Sequence, residues 1–459
     1  MKEMCSVIGV DSVEDLLCSF PSELLLSEEL KLPKGKSEQE LKESLTLLSE
    51  KNITSAEFAS FLGGGSYNHY TPAVVDSVLT KGEFFTAYTP YQPELSQGTL
   101  QAIFEYQTYI CQLTGTDVSN ASLYDGASAS AEAVLMAFRR TRRKVALISG
   151  GLHPEYTETI ETYLGATSVE GSQSSDGQNK DKKIIKTPLS LKSGRTDIKA
   201  LKSLINKETA CVLIQSPNFF GSIEDLFELS RIAHENGALF IVVVTEALSL
   251  ALLKPPGELG ADIVVGEAQS FGCGLNYGGP YLGFMGVKDS MLREMPGRLV
   301  GETLDSAGRR SFCLTLATRE QHIRRSRATS NICTNQGLLA LACTTYLSAL
   351  GKGGLMRLAR LNLSKAEYLK AELTKIKGVE VAFSSPVFNE FTVKITSKLS
   401  IKEIQKSLSE EGIFGGLSLG EFYPENKEQE KNLLIAVTEM NSKEEMDSLA
   451  GLLEKILKR

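Results

Sequence analysis

Short runs of apolar and β-branched residues recur through the middle of the chain. They lie at residues 144–150, 183–190, 210–218, 239–247, 261–269 and 281–288. Each run is apolar along its whole length instead of alternating with polar residues, which is typical of strands buried on both faces. Helix-like stretches such as 153–164 and 225–236 separate several of the runs. The pattern predicts a mostly parallel sheet covered by helices.

The N-terminal residues have a different pattern. Residues 1–65 are polar and helix-like, and Ser37 followed by Glu40 forms a capping box that opens a helix. A glycine triplet at 63–65 ends this arm. A second polar stretch, rich in glycine and serine, lies at 168–183, and we expect it to be a surface excursion.

A small α/β domain with an antiparallel sheet is predicted at the C-terminus. A helix at 335–376 is interrupted at 351–354, and the elements after it are strands at 379–383, 388–395 and 432–440 and helices at 400–411 and from Lys443. We expect three parts: an arm at 1–65, a large sheet domain at 66–330 and a small domain at 331–459. A large parallel domain followed by a small one is the layout of the fold-type-I pyridoxal-phosphate enzymes, although layout by itself does not determine function.

Composition narrows the class of protein. The net charge of −7 argues against a general nucleic-acid binder, which needs a basic surface. The chain has no apolar run of transmembrane length and no signal-peptide pattern, so we expect a soluble, cytoplasmic protein without membrane contact. Its eight cysteines form no CxxC pair and its four histidines are far apart, so no metal site is predicted.

The strand that ends near residue 267 carries the most informative substitution. In a catalytic fold-type-I chain, this strand end carries the lysine that forms an imine with pyridoxal phosphate. Here Gln269 stands at that position, and no lysine occurs between Lys254 and Lys288. Because an amide cannot form an imine, a chain with this fold cannot hold the cofactor covalently.

Other residues resemble the rest of a cofactor pocket. Gly126, Ser128 and Ser130 begin an alanine-rich helix, and exposed amides and hydroxyls at a helix start can bind a phosphate. Glu246 ends a buried strand, where an acid would pair with the pyridinium nitrogen. We add His153 to this degenerate pocket. The alternatives are close helix–sheet packing for the first segment and a solvent-facing acid for Glu246.

An aromatic, polar loop precedes the large domain's first long helix. Its hydrogen-bonding side chains surround two prolines, which suits a rigid, ligand-facing loop better than a core. Asn68, His69, Tyr88, Tyr91 and Gln97 are its candidate ligand-facing side chains. Plain packing between subunits is the alternative interpretation.

A basic segment connects the large and small domains. It contains Arg319, Arg324, Arg325 and Arg327 around His322. The segment is either a solvated basic face or an anion contact that reaches a neighbouring subunit.

Together these segments resemble the P-protein of the glycine cleavage system, in particular the alpha subunit of its two-subunit bacterial form. The strings that carry the resemblance are SYNHYTPAVV, AYTPYQPELSQG, NASLYDGASASAEA, SPNFFGSIED, LKPPGELGADIVVGEAQSFG, NYGGPYLGFM and TREQHIRRSRATSNICTNQ. They span essentially the whole chain. Glu246 and Ala247 depart from the Asp-Pro pair of the family pattern.

The resemblance implies a partner and a reaction. A beta subunit of the same fold would carry pyridoxal 5'-phosphate on its lysine, and two alpha and two beta chains would assemble. Asn68, His69, Tyr88, Tyr91 and Gln97 would then face that subunit's cofactor instead of this chain's own empty pocket. Glycine would be decarboxylated, and its aminomethyl group would pass to the lipoyl arm of the H-protein. The T-protein aminomethyltransferase and dihydrolipoamide dehydrogenase would act in the same system.

Two other functions compete with this interpretation. An autonomous pyridoxal-phosphate lyase or aminotransferase would need the lysine that the chain lacks. A non-catalytic scaffold would stabilise the beta subunit or dock the lipoyl carrier without contributing a side chain to the chemistry.

Overall fold

The structure is a computed structural model that describes residues 1–26, 28, 30–165, 182–328 and 330–458. The predicted surface excursion at 168–183 lies almost entirely outside the described residues. The described residues form two compact units, at residues 1–54 and 55–459. In the first unit, Ser37 and Glu40 form the predicted capping box at the start of a helix.

Helices and strands alternate along the described part of the chain. The helices are α1 (Lys2–Ile8), α2 (Glu38–Ser49), α3 (Ala73–Leu79), α4 (Gly82–Phe85), α5 (Gln97–Thr114), α6 (Gly126–Thr141), α7 (Pro154–Tyr163), α8 (Ile198–Leu204), α9 (Leu226–Glu235), α10 (Gln321–Arg324), α11 (Gly337–Leu373), α12 (Ile401–Ser409), α13 (Leu419–Phe422) and α14 (Lys443–Leu457). The strands are β1 (Ala59–Ser60), β2 (Val118–Ser119), β3 (Val145–Ser149), β4 (Lys183–Thr187), β5 (Thr209–Gln215), β6 (Leu239–Val244), β7 (Ile263–Glu267), β8 (Gly283–Val287), β9 (Leu299–Leu304), β10 (Arg310–Thr315), β11 (Val379–Val381), β12 (Glu390–Ile395), β13 (Ile413–Phe414), β14 (Leu417–Ser418) and β15 (Asn432–Ala436).

The large sheet has seven strands in the order β2-β8-β7-β6-β5-β3-β4. Strands β4, β3, β5, β6 and β7 are parallel, and β8 and β2 complete one edge with antiparallel pairing. Successive residues of β6 enter different cores: Val242 and Val244 pack in one apolar cluster, and Ile241 and Val243 pack in another. Both faces are therefore covered, as the uninterrupted apolar runs predicted, and the fold class is confirmed.

The small domain is built on an antiparallel sheet in the order β11-β12-β15-β14. The predicted break in the preceding helix is confirmed, because Gly351 inside α11 has a φ of 59° and is not helical. Among the described helices, α11 alone is long and apolar enough in composition to cross a membrane. Its residues Ala340, Cys343 and Tyr346 pack in the main core, as in a core helix.

Residues 55–65 differ from the predicted helical arm. They belong to the second compact unit, where β1 pairs in parallel with β13 of the small domain. The glycine triplet follows β1 and enters the space beside the carboxyl ends of β5, β6 and β7. The glycine loop, the large sheet and the small domain therefore meet at this edge. In parallel sheets the carboxyl edge is where ligands usually bind.

Candidate functional site

Gln269 joins the end of β7 to the loop that follows the glycine triplet. Its Oε1 accepts a hydrogen bond from the Tyr67 backbone N–H at 3.0 Å, and its Nε2 donates to the Tyr67 carbonyl at 3.0 Å and to the Cys273 carbonyl at 2.8 Å. The side chain is buried, with 2% of its surface exposed. Both ends of the amide therefore have partners inside the chain, and the position is a structural bridge.

A carboxylate occupies the start of helix α6. One oxygen of Glu267 accepts from the Gly126 backbone N–H at 3.0 Å, and the other accepts from the N–H groups of Leu282 and Gln269 at 2.7 and 3.1 Å. Burial raises the pKa of Glu267 to about 7, and the amide donors oppose that shift. The amides that would attract a phosphate here already bind an acid of the same chain.

The hydroxyl groups predicted for the phosphate are also used within the helix. Ser128 and Asp125 form a reciprocal capping box, and Ser130 donates to the Gly126 carbonyl at 2.8 Å. A Cβ added at Gly126 would lie 2.4 Å from the hydroxyl of Tyr156. These contacts match the alternative interpretation of this segment, which is a capped helix packed closely on the sheet.

Glu246 lies at the end of β6 and is buried, not solvent-facing. One of its oxygens accepts from the Leu248 N–H at 2.9 Å and from the Ser270 hydroxyl at 2.7 Å. The other accepts from the Asn389 amide at 3.1 Å and lies 3.1 Å from Nε2 of His69. The strand-end acid therefore has a cationic partner within its own chain.

His69 lies between two carboxylates. Its Nε2 contacts Glu246 at 3.1 Å, and its Nδ1 contacts Glu439 of the small domain at 2.8 Å. Burial opposes the charged ring, but Glu246 and Glu439 outweigh it and raise the pKa of His69 to about 10. Burial also disfavours the charged form of Glu439 and by itself would raise its pKa. The contact with His69 is stronger and lowers the pKa of Glu439 to about 2. The ring is thus a buried imidazolium that faces this chain's own pocket, whereas the sequence led us to expect it at a neighbouring subunit's site.

The glycine triplet contributes a further part of the pocket. Glu390 accepts from the Gly64 N–H at 2.6 Å and from the Tyr67 hydroxyl at 3.1 Å. A Cβ at Gly63 would lie 2.2 Å from the Glu390 carboxylate, so only glycine fits. Burial raises the pKa of Glu390 to about 8. The sequence predicts only the end of an arm at this triplet, although a run of glycines in a non-helical segment also indicates close backbone approach.

His153 belongs to the same pocket. Its Nε2 donates to the Gly64 carbonyl at 2.8 Å, and its Nδ1 accepts from the Glu155 N–H at 3.2 Å. Burial lowers the pKa of His153 to about 4, so the ring is neutral. It packs edge-on against Phe219 with ring centres 4.6 Å apart. The structure therefore brings His153, Glu246, His69 and Gln269 together at one edge of the sheet.

Tyr91 and Gln97 form their hydrogen bonds outside this pocket, whereas Asn68 lies in the chain between Tyr67 and His69. Gln97 is bound to the backbone of β10, with its Oε1 2.9 Å from the Phe312 N–H and its Nε2 2.8 Å from the Phe312 carbonyl. The Tyr91 hydroxyl accepts from Arg298 at 2.9 Å. Tyr88 is 89% exposed, and the Asn68 carbonyl accepts from the Thr438 hydroxyl at 2.6 Å. Gln97 and Tyr91 thus hold the loop, and Tyr88 projects from it.

A surface cavity of ≈ 280 Å³ lies beside Tyr88. Phe84, Phe85 and Pro90 form part of its apolar wall, and Thr334 and Asn335 lie on its polar side. Phe85 is exposed as well as Tyr88. An exposed aromatic surface that lines a cavity is typical of a surface that another molecule covers.

The basic segment is divided between interior and surface. Arg319 donates to the carbonyls of Met295 and Gly297 and is therefore a structural residue. Arg324, Arg325 and Arg327 are exposed. Within the described residues, no group of three or more His, Cys, Asp or Glu side chains could hold a metal ion.

The comparison with family models matches residues 1–453 to the glycine cleavage system P-protein. The chain belongs to this family. It is 48% identical to the probable glycine dehydrogenase (decarboxylating) subunit 1 of Geobacillus sp. (strain WCH70), over 97% of this chain and 95% of that protein. It is also 48% identical to the protein of the same name from Listeria monocytogenes serotype 4b, over 99% of this chain and 96% of that protein.

Solved structures agree with membership of the P-protein family. The crystal structure of an inhibitor-bound glycine decarboxylase (P-protein) of the glycine cleavage system has a TM-score of 0.87 and 41% identity, and the match covers 99% of this chain and 98% of that one. A sphingosine-1-phosphate lyase from Burkholderia pseudomallei has a TM-score of 0.66 at 14% identity, which is a likeness of fold only. The fold of this chain is therefore the P-protein fold.

The P-protein resemblance implies pyridoxal 5'-phosphate, but the pocket of this chain does not fit it. Gln269 cannot form the imine and is fully hydrogen bonded. Glu267 accepts the Gly126 N–H at the start of α6, and His69 is paired with Glu246. The side chains of this pocket therefore cannot support imine chemistry on a cofactor held by this chain.

Proposed function

We propose that this chain is the lysine-lacking subunit of a heteromeric glycine dehydrogenase (decarboxylating) of the glycine cleavage system. The observation that carries the proposal is Gln269, whose amide is bound at both ends, in a chain that matches the P-protein family over residues 1–453. The name "subunit 1" of its relatives implies a second subunit. That partner has the same fold and holds pyridoxal phosphate on its lysine.

The complex decarboxylates glycine and transfers the aminomethyl group to the lipoyl arm of the H-protein. Pyridoxal phosphate, bound to the partner, supplies the electron sink for loss of carbon dioxide. The T-protein and dihydrolipoamide dehydrogenase act on later species of the same system. The complex works in the cytoplasm, without nucleic acid or membrane, and contains two copies of each chain.

This chain's loop contributes to the site between the subunits. Tyr88 is the most exposed of the predicted loop residues, and the cavity beside it has an aromatic wall. Gln97 and Tyr91 fix the loop to β10 and Arg298, so Tyr88 is presented from a rigid base. Asn68 and Tyr88 face the partner, and His69 anchors the start of the loop from within.

The experiment is co-expression with a chain of the same fold that carries the lysine. The purified complex is reduced with borohydride, digested, and mapped by mass spectrometry. We expect a phosphopyridoxyl adduct on the partner's lysine peptide, none on this chain, and glycine decarboxylation only when both chains are present. An adduct on this chain at one per molecule, or full activity of this chain without a partner, would contradict the proposal.

A scaffold without any chemical role is the second candidate. One observation favours it: Tyr91 and Gln97, two residues predicted to face the partner's cofactor, form their hydrogen bonds within this chain. The two functions predict different effects of Tyr88→Phe on turnover: a loss if the hydroxyl takes part in the chemistry, and none if the chain is only a scaffold.

A further inference from the structure

A fold-type-I pocket binds pyridoxal phosphate through three groups: a lysine, a set of phosphate-binding amides, and an acid beside the pyridinium nitrogen. In this chain each place has a partner from the chain itself. Gln269 is bound to Tyr67 and Cys273, the Gly126 amide is bound to Glu267, and Glu246 is bound to His69. The absence of the lysine is therefore only one of three changes.

The Glu267 carboxylate resembles a bound phosphate in its contacts. It receives three backbone N–H groups from three separate segments, the first turn of α6, the start of β8 and the residues after β7. Anions are stabilised at a helix start by such amides. A second anion at these amides would find the Gly126 N–H already donated to Glu267, and the Glu267 carboxylate would repel it whenever that group is ionised.

The His69 ring resembles a pyridinium in its contacts. It is a planar aromatic cation whose N–H points at the strand-end acid Glu246 at 3.1 Å. Its opposite nitrogen contacts Glu439 at 2.8 Å. Glu439 also accepts from the Tyr70 N–H and from the Asn362 amide, at 2.7 and 3.0 Å, so the carboxylate beyond the ring is held in place.

We propose that this chain has replaced the cofactor with its own charges: Glu267 stands in for the phosphate, and His69 stands in for the pyridinium. The pocket is consequently a closed structural joint between the loop, the large sheet and the small domain. A lysine at position 269 alone does not open this joint to the cofactor. Removal of the Glu267 and His69 side chains together with that lysine does open it.

The test compares two variants of the full chain, each co-expressed with its partner. The first is Gln269→Lys. The second adds Glu267→Ala and His69→Ala to it. Each is incubated with pyridoxal phosphate, reduced with borohydride and digested, and the adduct on the peptide containing position 269 is quantified by mass spectrometry.

We expect the second variant to be labelled at position 269 about tenfold or more above the first, because a buried like charge and a competing cation have been removed. The matched control adds Glu224→Ala and His234→Ala to Gln269→Lys. Glu224 is likewise buried, but it is bonded to Thr196 and Asn218 away from the pocket. The control should label like the first variant. Equal labelling of the first and second variants, whether high or low, overturns the proposal, and so does a control that labels like the second.

A second measurement uses the unaltered protein, so it does not depend on whether the variants fold. In the assembled complex with ¹⁵N-labelled histidine, we expect both ring nitrogens of His69 to carry a proton at pH 8, with the signals absent in His69→Ala. A neutral His69 ring at that pH also overturns the proposal. The partner's own lysine peptide reports separately on the proposed function: its failure to label leaves the comparison at position 269 unaffected.

Discussion

The ring of His69 is bonded to Glu439 across 370 residues of sequence, with Nδ1 2.8 Å from the carboxylate oxygen. This contact ties the loop before α3 to the turn that follows β15 in the small domain. On its other side the ring contacts Glu246 at the end of β6. One imidazolium therefore links three segments that the chain brings together only on folding.

Replacement of His69 by alanine should destabilise the protein strongly. Removing one member of a buried charge cluster leaves the others uncompensated, which costs about 3–5 kcal/mol. The double variant His69→Ala/Glu246→Gln should recover part of that loss, since it removes one stranded charge. Denaturant unfolding of the purified chain measures both.

The matched control is His234→Ala, which breaks a 2.8 Å contact with Asp262 on a side chain that is 41% exposed. His234 is partly exposed, and the buried Asp262 carboxylate keeps Lys288 and the Phe240 N–H as partners, so this variant should lose only about 0–1 kcal/mol. Equal losses for His69→Ala and His234→Ala would show that His69 is not a buried ion-pair partner.

Stability should fall as the pH rises through the range in which His69 loses its proton. The pKa of His69 is raised from 6.5 to about 10 in the folded chain, so the folded state binds more protons than the unfolded state between these values. The contribution of His69 is complete below pH 6.5 and is lost toward pH 10. Glu390, with its pKa raised from 4.5 to about 8, acts in the same direction over a lower range. Thermal unfolding in a pH series measures the decline.

The variant His69→Gln identifies the source of that decline. It retains a side chain able to hydrogen bond but does not titrate, so its stability should vary less between pH 8 and pH 10 than that of the wild type. A pH dependence as steep as that of the wild type would assign the effect to other groups.

Tyr88→Phe should lower the turnover of the assembled complex, whereas Tyr91→Phe should lower stability or assembly. A hydroxyl that bonds a developing charge contributes about 2–4 kcal/mol to the transition state. Tyr88 is exposed, but the Tyr91 hydroxyl already accepts from the buried Arg298. The measurement is kcat for glycine decarboxylation at saturating partner. A Tyr88→Phe complex within about twofold of the wild-type kcat would favour the scaffold function.

Gly63→Ala should destabilise the second compact unit by about 1–3 kcal/mol, because overpacking forces neighbouring groups to move. The added Cβ would lie 2.2 Å from the Glu390 carboxylate and 2.5 Å from the Ala436 side chain. Gly98→Ala in α5 is the control, since nothing lies within 4 Å of its Cβ and alanine favours a helix. Urea unfolding compares the two, and a Gly63→Ala midpoint at or above the wild-type value would contradict this packing.

Some features of the candidate site followed from local sequence. The position of Gln269 was predictable because it follows an apolar strand directly, and the missing lysine is visible in the printed residues. Glu246 was predictable as a strand-end acid for the same reason. Its partner was not, because no local pattern marks Glu439 as a neighbour of His69.

The sequence by itself determined the alternation of helices and strands, the parallel sheet, the break at Gly351 and the presence of a glutamine, not a lysine, at position 269. Apolar periodicity and residue identity act over short distances, so they can be recognised along the chain. Only the tertiary structure decided where the charges of the pocket pair. Glu267 binds the Gly126 amide and His69 bridges Glu246 to Glu439 because the carboxyl ends of the strands, the glycine loop and the small domain meet at one buried edge. There, loss of water makes each charge stable only beside a partner of opposite sign or a set of hydrogen-bond donors.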